Sequence, residues 1–246
     1  MTNARAERTV TAQPSASGTL RIVLHGAAGR MGQRIAACAQ QASDAQLVRA
    51  LDRGDRHGLA PGEVDCVVDF SSDDGAACAA AIAVELRCAL LVGTTGLSPG
   101  SLDAIARAAA TVPAMVAPNT SLGVAVARRL AAEAARLLAG FDVDIVETHH
   151  ARKVDAPSGT ARSLAEAVGR GRGKPMDPSH IHAIRAGDVV GEHAVTWSGP
   201  GERVTIAHSA TSRDLFAMGA LRMARWVSMQ PAGLHTPDDW FAHFAR

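Results

Sequence analysis

The sequence predicts an α/β fold in which a doubly wound parallel sheet is joined to a smaller α+β unit with a mixed sheet. Before Gly140, short apolar segments alternate with segments of helix-forming residues, the pattern of parallel strands joined by helices. A glycine-rich turn follows the first apolar segment. After Gly140, apolar and polar residues alternate singly, which is typical of strands with one exposed face.

In the first half, continuous apolar runs predict buried strands, and the Ala-rich segments between them predict helices. Ser98 is expected to cap the third helix, and Pro118 with Asn119 ends the fifth strand. The predicted strands span 20–25, 46–52, 64–70, 88–92 and 113–117, and the predicted helices span 30–40, 73–85, 98–110 and 122–138.

In the second half, Ser158 begins a segment of helix-forming residues, and Gly and Pro residues predict a loop after Val168. We expect the strands after that loop to be antiparallel neighbours because their apolar and polar residues alternate. The predicted elements are a strand over 141–148, a helix over 158–168, a loop over 169–178, strands over 180–188, 189–197 and 203–209, and a helix over 215–229.

The composition of the 246-residue chain fits one large domain or two small ones. Hydrophobic residues make up 47% of it, which is enough for a substantial core. The net charge is +1 with both signs interspersed, which argues against nucleic-acid and membrane-surface binding. No apolar run is long enough to span a membrane. Residues 1–18 are polar and lack the apolar core of a secretory signal, so they predict a disordered tail and a cytoplasmic protein.

The four cysteines are expected to be buried free thiols of a reducing compartment. Cys38, Cys66, Cys78 and Cys88 lie among apolar residues and form no C-x-x-C pair. Disulfides and metal ligation are the less favoured alternatives, and we expect no bound metal.

The turn between the first strand and the first helix is a candidate pyrophosphate site. Its spacing is G-x-x-G-x-x-G, with Ala28 where the usual dinucleotide fingerprint has its middle glycine. A helix start offers unpaired N–H groups and the positive end of a dipole, which suit a pyrophosphate. The alternative is a tight turn that binds nothing. The candidate cofactor-binding residues of the turn are Gly26, Ala27, Ala28, Gly29, Arg30 and Met31.

An acidic residue at the end of the second strand supports the nucleotide interpretation. Asp52 lies 20 residues beyond Gly32, where a carboxylate accepts hydrogen bonds from the ribose hydroxyls of NAD. Arg53 is placed to pair with the 2′-phosphate of NADP, so we expect use of NADH or NADPH. The alternative for residues 52–55 is a solvated turn. With the glycine turn, Asp52 indicates a Rossmann-type unit.

Two more turns follow the fourth and fifth strands, at the sheet edge where doubly wound folds bind ligands. Alternatively, each is ordinary turn chemistry, with Asn119 or Thr120 capping the next helix. The candidate cofactor-binding residues in these turns are Gly93, Thr94, Thr95, Ala117, Pro118, Asn119 and Thr120.

A dense polar cluster between His149 and Thr160 is the candidate catalytic segment. Histidine can donate a proton near neutral pH, lysine binds anionic oxygens, and the predicted helix start at Ser158 offers hydroxyl and N–H groups. Lys153 is one of only two lysines in a chain rich in arginine, which suggests that its chemistry is needed. The cluster fits a small substrate with carboxylates that receives a hydride from the cofactor and a proton from the protein.

Other interpretations of the cluster are weaker. Adjacent histidines on a strand point to opposite faces, so at most one of His149 and His150 is expected in one site unless the strand ends there. A lone surface or core histidine is the ordinary alternative. The H-H-x-x-K pattern has too few ligands for zinc, and Ser158 lacks the G-x-S-x-G turn of a serine hydrolase.

These motifs resemble those of the dihydrodipicolinate reductase family, in the same order from about residue 20 to 225. The resemblance rests on the segments 26–32, 68–71, 93–96, 149–161, 185–193 and 216–221. It implies reduction of 4-hydroxy-tetrahydrodipicolinate to tetrahydrodipicolinate by NADH or NADPH, with loss of water, in lysine and diaminopimelate biosynthesis. It implies His149 as proton donor, Lys153 as its catalytic partner, and carboxylate binding by His150, Gly159 and Thr160. Ser158 is also expected to bind the substrate, because it lies at the predicted helix start.

The resemblance also implies a domain organisation and a homotetramer formed through substrate-domain sheets. It places a dinucleotide-binding domain over 19–121 and 213–246, and a substrate-binding and oligomerisation domain over 122–212. The chain departs from the family in the short stretch 53–63, where no helix is predicted, and in Thr120, where many members carry an aromatic residue. The loop over 169–179 also looks shortened. A related two-domain imine or amino-acid dehydrogenase and a nucleotide-sensing protein without catalysis are the alternatives.

Overall fold

The computed structural model describes residues 18–244, so the tail predicted over 1–18 lies outside the described residues except for Gly18. The chain divides into two compact units. The first contains the described residues up to Pro118 together with Ala220–Trp240, and the second contains Asn119–Gly219 and the residues from Phe241 onward. The functional domain bounds given above stay a prediction.

The described residues form ten strands, seven α-helices and a short 3-10 helix at Pro178–His180. Within residues 18–244, no helix combines the length and apolar character needed to cross a membrane. The elements in chain order are β1 (Leu20–His25), α1 (Arg30–Gln41), β2 (Ala45–Leu51), β3 (Cys66–Asp69), α2 (Asp73–Leu86), β4 (Ala89–Val92), α3 (Pro99–Ala109), β5 (Pro113–Val116), α4 (Leu122–Leu137), β6 (Asp142–His149), α5 (Gly159–Arg172), β7 (Ile181–Arg185), β8 (Gly191–Gly199), β9 (Glu202–Ala210), α6 (Asp214–Ser228), β10 (Gly233–His235) and α7 (Pro237–Phe244).

The first unit contains a six-stranded sheet in the order β10-β5-β4-β3-β1-β2, and every neighbouring pair is parallel. This confirms the predicted doubly wound sheet. All side chains of β3 and β4 are buried, which explains their continuous apolar sequence. The sequence reading did not predict β10, because three residues are too few to show a pattern.

The link from β2 to β3 contains no helix, as predicted, and is held by side chains instead. Asp65 accepts hydrogen bonds from Arg21 through its backbone N–H at 2.8 Å and its guanidinium at 2.7 Å. The same guanidinium donates to Gly62 O at 2.7 Å. Leu59 packs against the core of the sheet. The shortened crossover is therefore a compact loop anchored to β1.

The second unit contains a four-stranded sheet in the order β7-β6-β8-β9. β8 is antiparallel to β6 and β9, as expected, but β7 pairs with β6 in parallel. The expectation that the strand over 180–188 is antiparallel to its neighbour was therefore wrong. The physical reason is the α5 crossover, which returns the chain to the start of the sheet before β7 begins.

Helices α4 and α5 cover one face of this sheet. Val143, Ile145 and Trp197 of the sheet are buried against Ala131 and Leu164 of the two helices. The loop predicted to begin at 169 was wrong, because α5 continues to Arg172.

Glycines explain both the packing and the length of α5. A Cβ at Gly171 would lie 2.1 Å from Ala132 O, so glycine is needed for the close approach of the two helices. Gly173 then ends α5 in the left-handed conformation, with φ +69°. These glycines therefore belong to the helix and its end rather than to a loop.

The four cysteines form no disulfide, but the expectation that all are buried was wrong. Cys66 and Cys88 are buried, Cys38 is partly exposed and Cys78 is exposed. Cys78 lies on the solvent side of α2. Because α2 is rich in alanine on both faces, its sequence does not show which side is buried. Burial raises the pKa of Cys88 to about 12, which makes this thiol unreactive.

Candidate active site

The turn between β1 and α1 is a backbone cradle. Gly26 has φ +84°, and a Cβ there would lie 2.6 Å from Phe70 O. A Cβ on Gly32 would lie 2.2 Å from Gly26 O. Gly29 begins α1 without a side-chain cap, and the first turn of the helix has no acidic residue. The helix N–H groups are therefore not covered by a cap, which fits the pyrophosphate of a dinucleotide.

Asp52 and Arg53 lie beside this cradle. Both carboxylate oxygens of Asp52 lie 3.1 Å from Ala28 N, so Asp52 holds the turn while keeping lone pairs for ribose hydroxyls. Arg53 Nη2 lies 3.6 Å from Asp74 Oδ2, and both side chains are 85% exposed. Such an exposed pair is weak, so Arg53 can turn towards another anion.

A buried network that the sequence reading missed joins the turns at the carboxyl ends of β3 and β4. Asp69 is fully buried and accepts hydrogen bonds from Thr94 Oγ1 at 2.6 Å and from Ser71 Oγ at 2.5 Å. His25 Nδ1 lies 2.9 Å from the same carboxylate. Thr94 Oγ1 also accepts from Ser71 N at 2.8 Å. Thr94 therefore fixes the turn after β4.

The other predicted cofactor residues lie in both units. Thr95 and Pro118 are exposed after β4 and β5, whereas Ala117 is buried and its N–H donates to Val92 O. Asn119 and Thr120 belong to the second unit.

His149 occupies the end of β6 with a buried acid beside it. Its Nδ1 makes a short hydrogen bond with Oε2 of Glu147, which is completely buried. Arg185 donates to both oxygens of Glu147, at 3.0 and 2.9 Å. Burial alone would raise the pKa of Glu147, but hydrogen bonds from Arg185, His149 and the Ser158 amide hold it below its usual value. Glu147 is therefore an anion that orients His149.

Ser158 caps α5 rather than facing solvent. Its N–H donates to Glu147 Oε1 at 3.0 Å, and its hydroxyl accepts from Ala161 N and lies 3.2 Å from His193 Nε2. Only 1% of the surface of Ser158 is exposed, and its bonds fix the helix start. Its assignment to the substrate site stays a prediction, and the next residue, Gly159, is exposed.

His193 lies on β8 opposite Glu147 and packs edge-on against His149, with the ring centroids 5.1 Å apart. Burial and the neighbouring His149 lower the pKa of His193 to about 4. His193 is therefore uncharged at neutral pH.

The folded protein should lose stability in acid because of His193. Its pKa falls from 6.5 to about 4 on folding, so between these pH values the unfolded chain binds more protons and the free energy of unfolding decreases as the pH falls. In His193→Gln, we expect the decrease from pH 7 to pH 4.5, measured by urea unfolding, to be smaller by about 2 kcal/mol. An unchanged decrease would contradict burial of a neutral histidine.

Lys153 and His150 lie on the segment after β6. Lys153 Nζ pairs with Asp155 Oδ1 at 2.7 Å. Burial lowers the pKa of His150, and the positive charges of Arg213 and Arg152 lower it further. His150 therefore lies in a cationic environment, which suits an anionic ligand. Arg213 contributes to this environment, although the sequence motifs did not indicate it.

Thr160 is joined to the start of α4. Asn119 Nδ2 donates to Thr160 Oγ1 at 2.9 Å and Asn119 Oδ1 accepts from Ser121 N, while Ser121 caps the helix. Thr120 is 1% exposed and donates to Phe216 O, so its side chain has no free group for a cofactor. The starts of α4 and α5, which are their positive ends, therefore lie close together beside Thr160.

Within residues 18–244, no group of three or more His, Cys, Asp and Glu side chains is arranged to hold a metal ion. The site residues that the sequence reading missed are Glu147, Arg185 and His193. Glu147 is two residues before His149 on one strand, so the two share a face, and this signal was available. Arg185 could not be placed, because its contact depends on the unexpected pairing of β7 with β6.

Comparisons with known proteins agree with this geometry. Family models described as dihydrodipicolinate reductase, N-terminus and C-terminus, match residues 20–120 and 123–241. The 4-hydroxy-tetrahydrodipicolinate reductase of Stenotrophomonas maltophilia (strain R551-3) is 41% identical over 89% of this chain and 97% of its own. That of Myxococcus xanthus (strain DK1622) is 42% identical over 80% and 77%.

A solved structure gives the same fold. Dipicolinate-bound dihydrodipicolinate reductase from Paenisporosarcina sp. TG-14 aligns with a TM-score of 0.72 at 24% identity, over 89% of this chain and 97% of that one. The glycine turn, the Glu147–His149 pair and the family matches lead to one conclusion. The chain belongs to the dihydrodipicolinate reductase family.

Proposed function

We propose that this protein reduces 4-hydroxy-tetrahydrodipicolinate to tetrahydrodipicolinate with loss of water, using NADH or NADPH, in lysine and diaminopimelate biosynthesis. The observation that carries the proposal is the buried Glu147–His149 pair at the end of β6, because the histidine suits a proton donor and the neighbouring start of α5 suits an anion. The two reductases named above support the choice of substrate. Such biosynthesis draws on the cytoplasmic pool of reduced cofactor, so we place the protein in the cytoplasm.

The first unit offers the groups that would hold the cofactor. The N–H groups of the turn from Gly26 to Met31 suit the pyrophosphate, Asp52 suits the adenosine ribose, and Gly93 to Thr95 and Ala117 to Pro118 lie at the ligand-binding edge. When bound, the nicotinamide supplies a hydride. Asn119 and Thr120 are proposed to contribute through their backbone, since their side chains are already hydrogen-bonded within the second unit.

The second unit offers the groups for a dicarboxylate and for the proton. Replacing a hydroxyl by a hydride, with water leaving, consumes one proton. We assign its delivery to His149, with Lys153 as catalytic partner. His150, Gly159 and Thr160 are proposed to bind the carboxylates, because they lie in the cationic region at the positive ends of α4 and α5.

Arg53 is proposed to set the balance between the two cofactors. Its guanidinium is free to meet a 2′-phosphate, which only NADPH carries. In Arg53→Ala, we expect the KM for NADPH to rise roughly 10-fold and that for NADH to change little. Arg56→Ala, an exposed arginine of the same loop, is the matched control. Equal effects of Arg53→Ala on both cofactors would remove Arg53 from phosphate binding.

We further propose a homotetramer formed through the sheet of the second unit. The face opposite α4 and α5 carries apolar side chains that stay partly exposed among the described residues, with Val146 38% and Ile184 46% exposed. Ala194 pairs with Val146, and Ala207 pairs with Ala194. A sheet face of this kind suits packing against a second copy.

The test is turnover with substrate made in situ from pyruvate and aspartate semialdehyde by the enzyme that condenses them. We expect oxidation of NADH, NADPH or both, which stops when pyruvate is omitted. Absence of oxidation with either cofactor would reject the proposal in favour of a related imine or amino-acid dehydrogenase, or of a nucleotide-sensing protein.

A further inference from the structure

The carboxylate of Glu147 is the point where hydrogen-bond donors from three segments meet. It receives the Arg185 guanidinium from β7 at 2.9 and 3.0 Å, the Ser158 amide from the start of α5 at 3.0 Å, and the His149 ring from its own strand. Both oxygens are therefore occupied, and the group is completely buried. A carboxylate held in this way stays ionised and acts as an acceptor only.

Arg185 also holds the segment that carries Lys153. Its Nε donates to Lys153 O at 3.3 Å, and its Nη2 donates to Asp155 O at 2.6 Å. One planar guanidinium thus joins the buried acid beside His149 to the backbone on both sides of Val154. Arginine can make these bonds at once because its donors form a rigid fork, whereas lysine cannot.

The bond to Glu147 decides which nitrogen of His149 can release a proton. Because Glu147 is an acceptor only, the hydrogen on Nδ1 stays in that bond, and the proton that leaves is the one on Nε2. Gly191 leaves room at that nitrogen, since a Cβ there would lie 3.0 Å from Nε2. After transfer, the Nε2–H bond is broken and a neutral imidazole remains on Glu147.

We propose that Glu147 and Arg185 are positioning residues for the reaction: Glu147 fixes Nε2 of His149 as the proton-donating nitrogen, and Arg185 ties that histidine to the Lys153 segment. This inference rests on the proposed function. The charged and titratable groups that face His149 are Glu147 on β6, Arg185 on β7, His193 on β8, and Lys153 and His150 on the following segment.

The test is Glu147→Gln, which keeps the shape and removes the charge. Without the carboxylate, the protonated ring of His149 is less favoured, so its NMR titration midpoint in the ligand-free protein should move to lower pH. The decline of kcat/KM with rising pH should move in the same direction, and kcat should fall on the order of 10²-fold. Glu166→Gln, the same change at an exposed position on α5, should match the wild type in both measurements.

Arg185→Lys separates charge from geometry. It keeps the positive charge but loses the fork, so we expect kcat to fall while the His149 midpoint stays close to that of the wild type. A folded Glu147→Gln protein with the wild-type titration and pH profile would overturn the proposal. If the wild type shows no turnover, the proposed function fails, while the ligand-free titration still decides the role of Glu147.

Discussion

Replacing His149 by glutamine is expected to lower kcat by about 10²- to 10⁴-fold, the range for a lost general acid. The physical reason is the pairing of His149 Nδ1 with a buried carboxylate, which leaves Nε2 as the nitrogen that can donate. Glutamine can hydrogen-bond at a similar place but has no proton to release. We therefore expect the KM for substrate to change far less than kcat, measured by steady-state oxidation of the reduced cofactor.

The control for this variant is His180→Gln. His180 is an exposed histidine that pairs with Asp144, away from the site at the end of β6. It should keep wild-type turnover. Near-normal kcat in His149→Gln would show that the proton comes from another group, even with the family assignment intact.

Lys153→Ala is expected to lose most of kcat, by about 10²-fold if its charge stabilises the reacting anion. The loss should not come from unfolding. The Lys153–Asp155 pair is partly exposed, with the lysine side chain 21% and the aspartate 48% accessible, so breaking it costs at most about 1 kcal/mol. Thermal unfolding measured beside kcat separates the two effects.

The chain provides a matched control for this variant as well. Lys174 is the other lysine of the sequence and is exposed in the loop after α5. Lys174→Ala should leave kcat unchanged. Equal turnover of the two variants would contradict a catalytic role for Lys153 and the inference of that role from the surrounding polar cluster.

The parallel sheet could be predicted because its strands are buried on both faces and therefore appear as continuous apolar runs. The mixed sheet was harder, since alternation gives the exposed face of a strand but not its direction. The parallel pairing of β7 with β6 follows from the length of the α5 crossover. That length could not be predicted, because Gly171 and Gly173 suggested a loop where α5 continues. Boundaries set by caps, such as Ser98 and Ser158, were predicted to within one residue.

The site was predictable where its chemistry is local and not where it depends on pairing. His149 and Lys153 are close in sequence, so the polar cluster that contains them could be recognised from the sequence alone. The carboxylate of Glu147 is held by Arg185, which lies 38 positions later in the chain and reaches it through the pairing of β7 with β6. Ser158 has contacts that the sequence did not show: its hydroxyl accepts from Ala161 N at the cap of α5 and lies beside His193.

The central claim is hydride transfer to the substrate of this reductase family, and isotope labelling tests it most directly. The protein is given cofactor deuterated at the transferable position, with substrate formed in situ, and the product is analysed by mass spectrometry. We predict tetrahydrodipicolinate carrying one deuterium, formed in step with cofactor oxidation. Product without deuterium, or unchanged substrate beside reduced cofactor, would contradict the account.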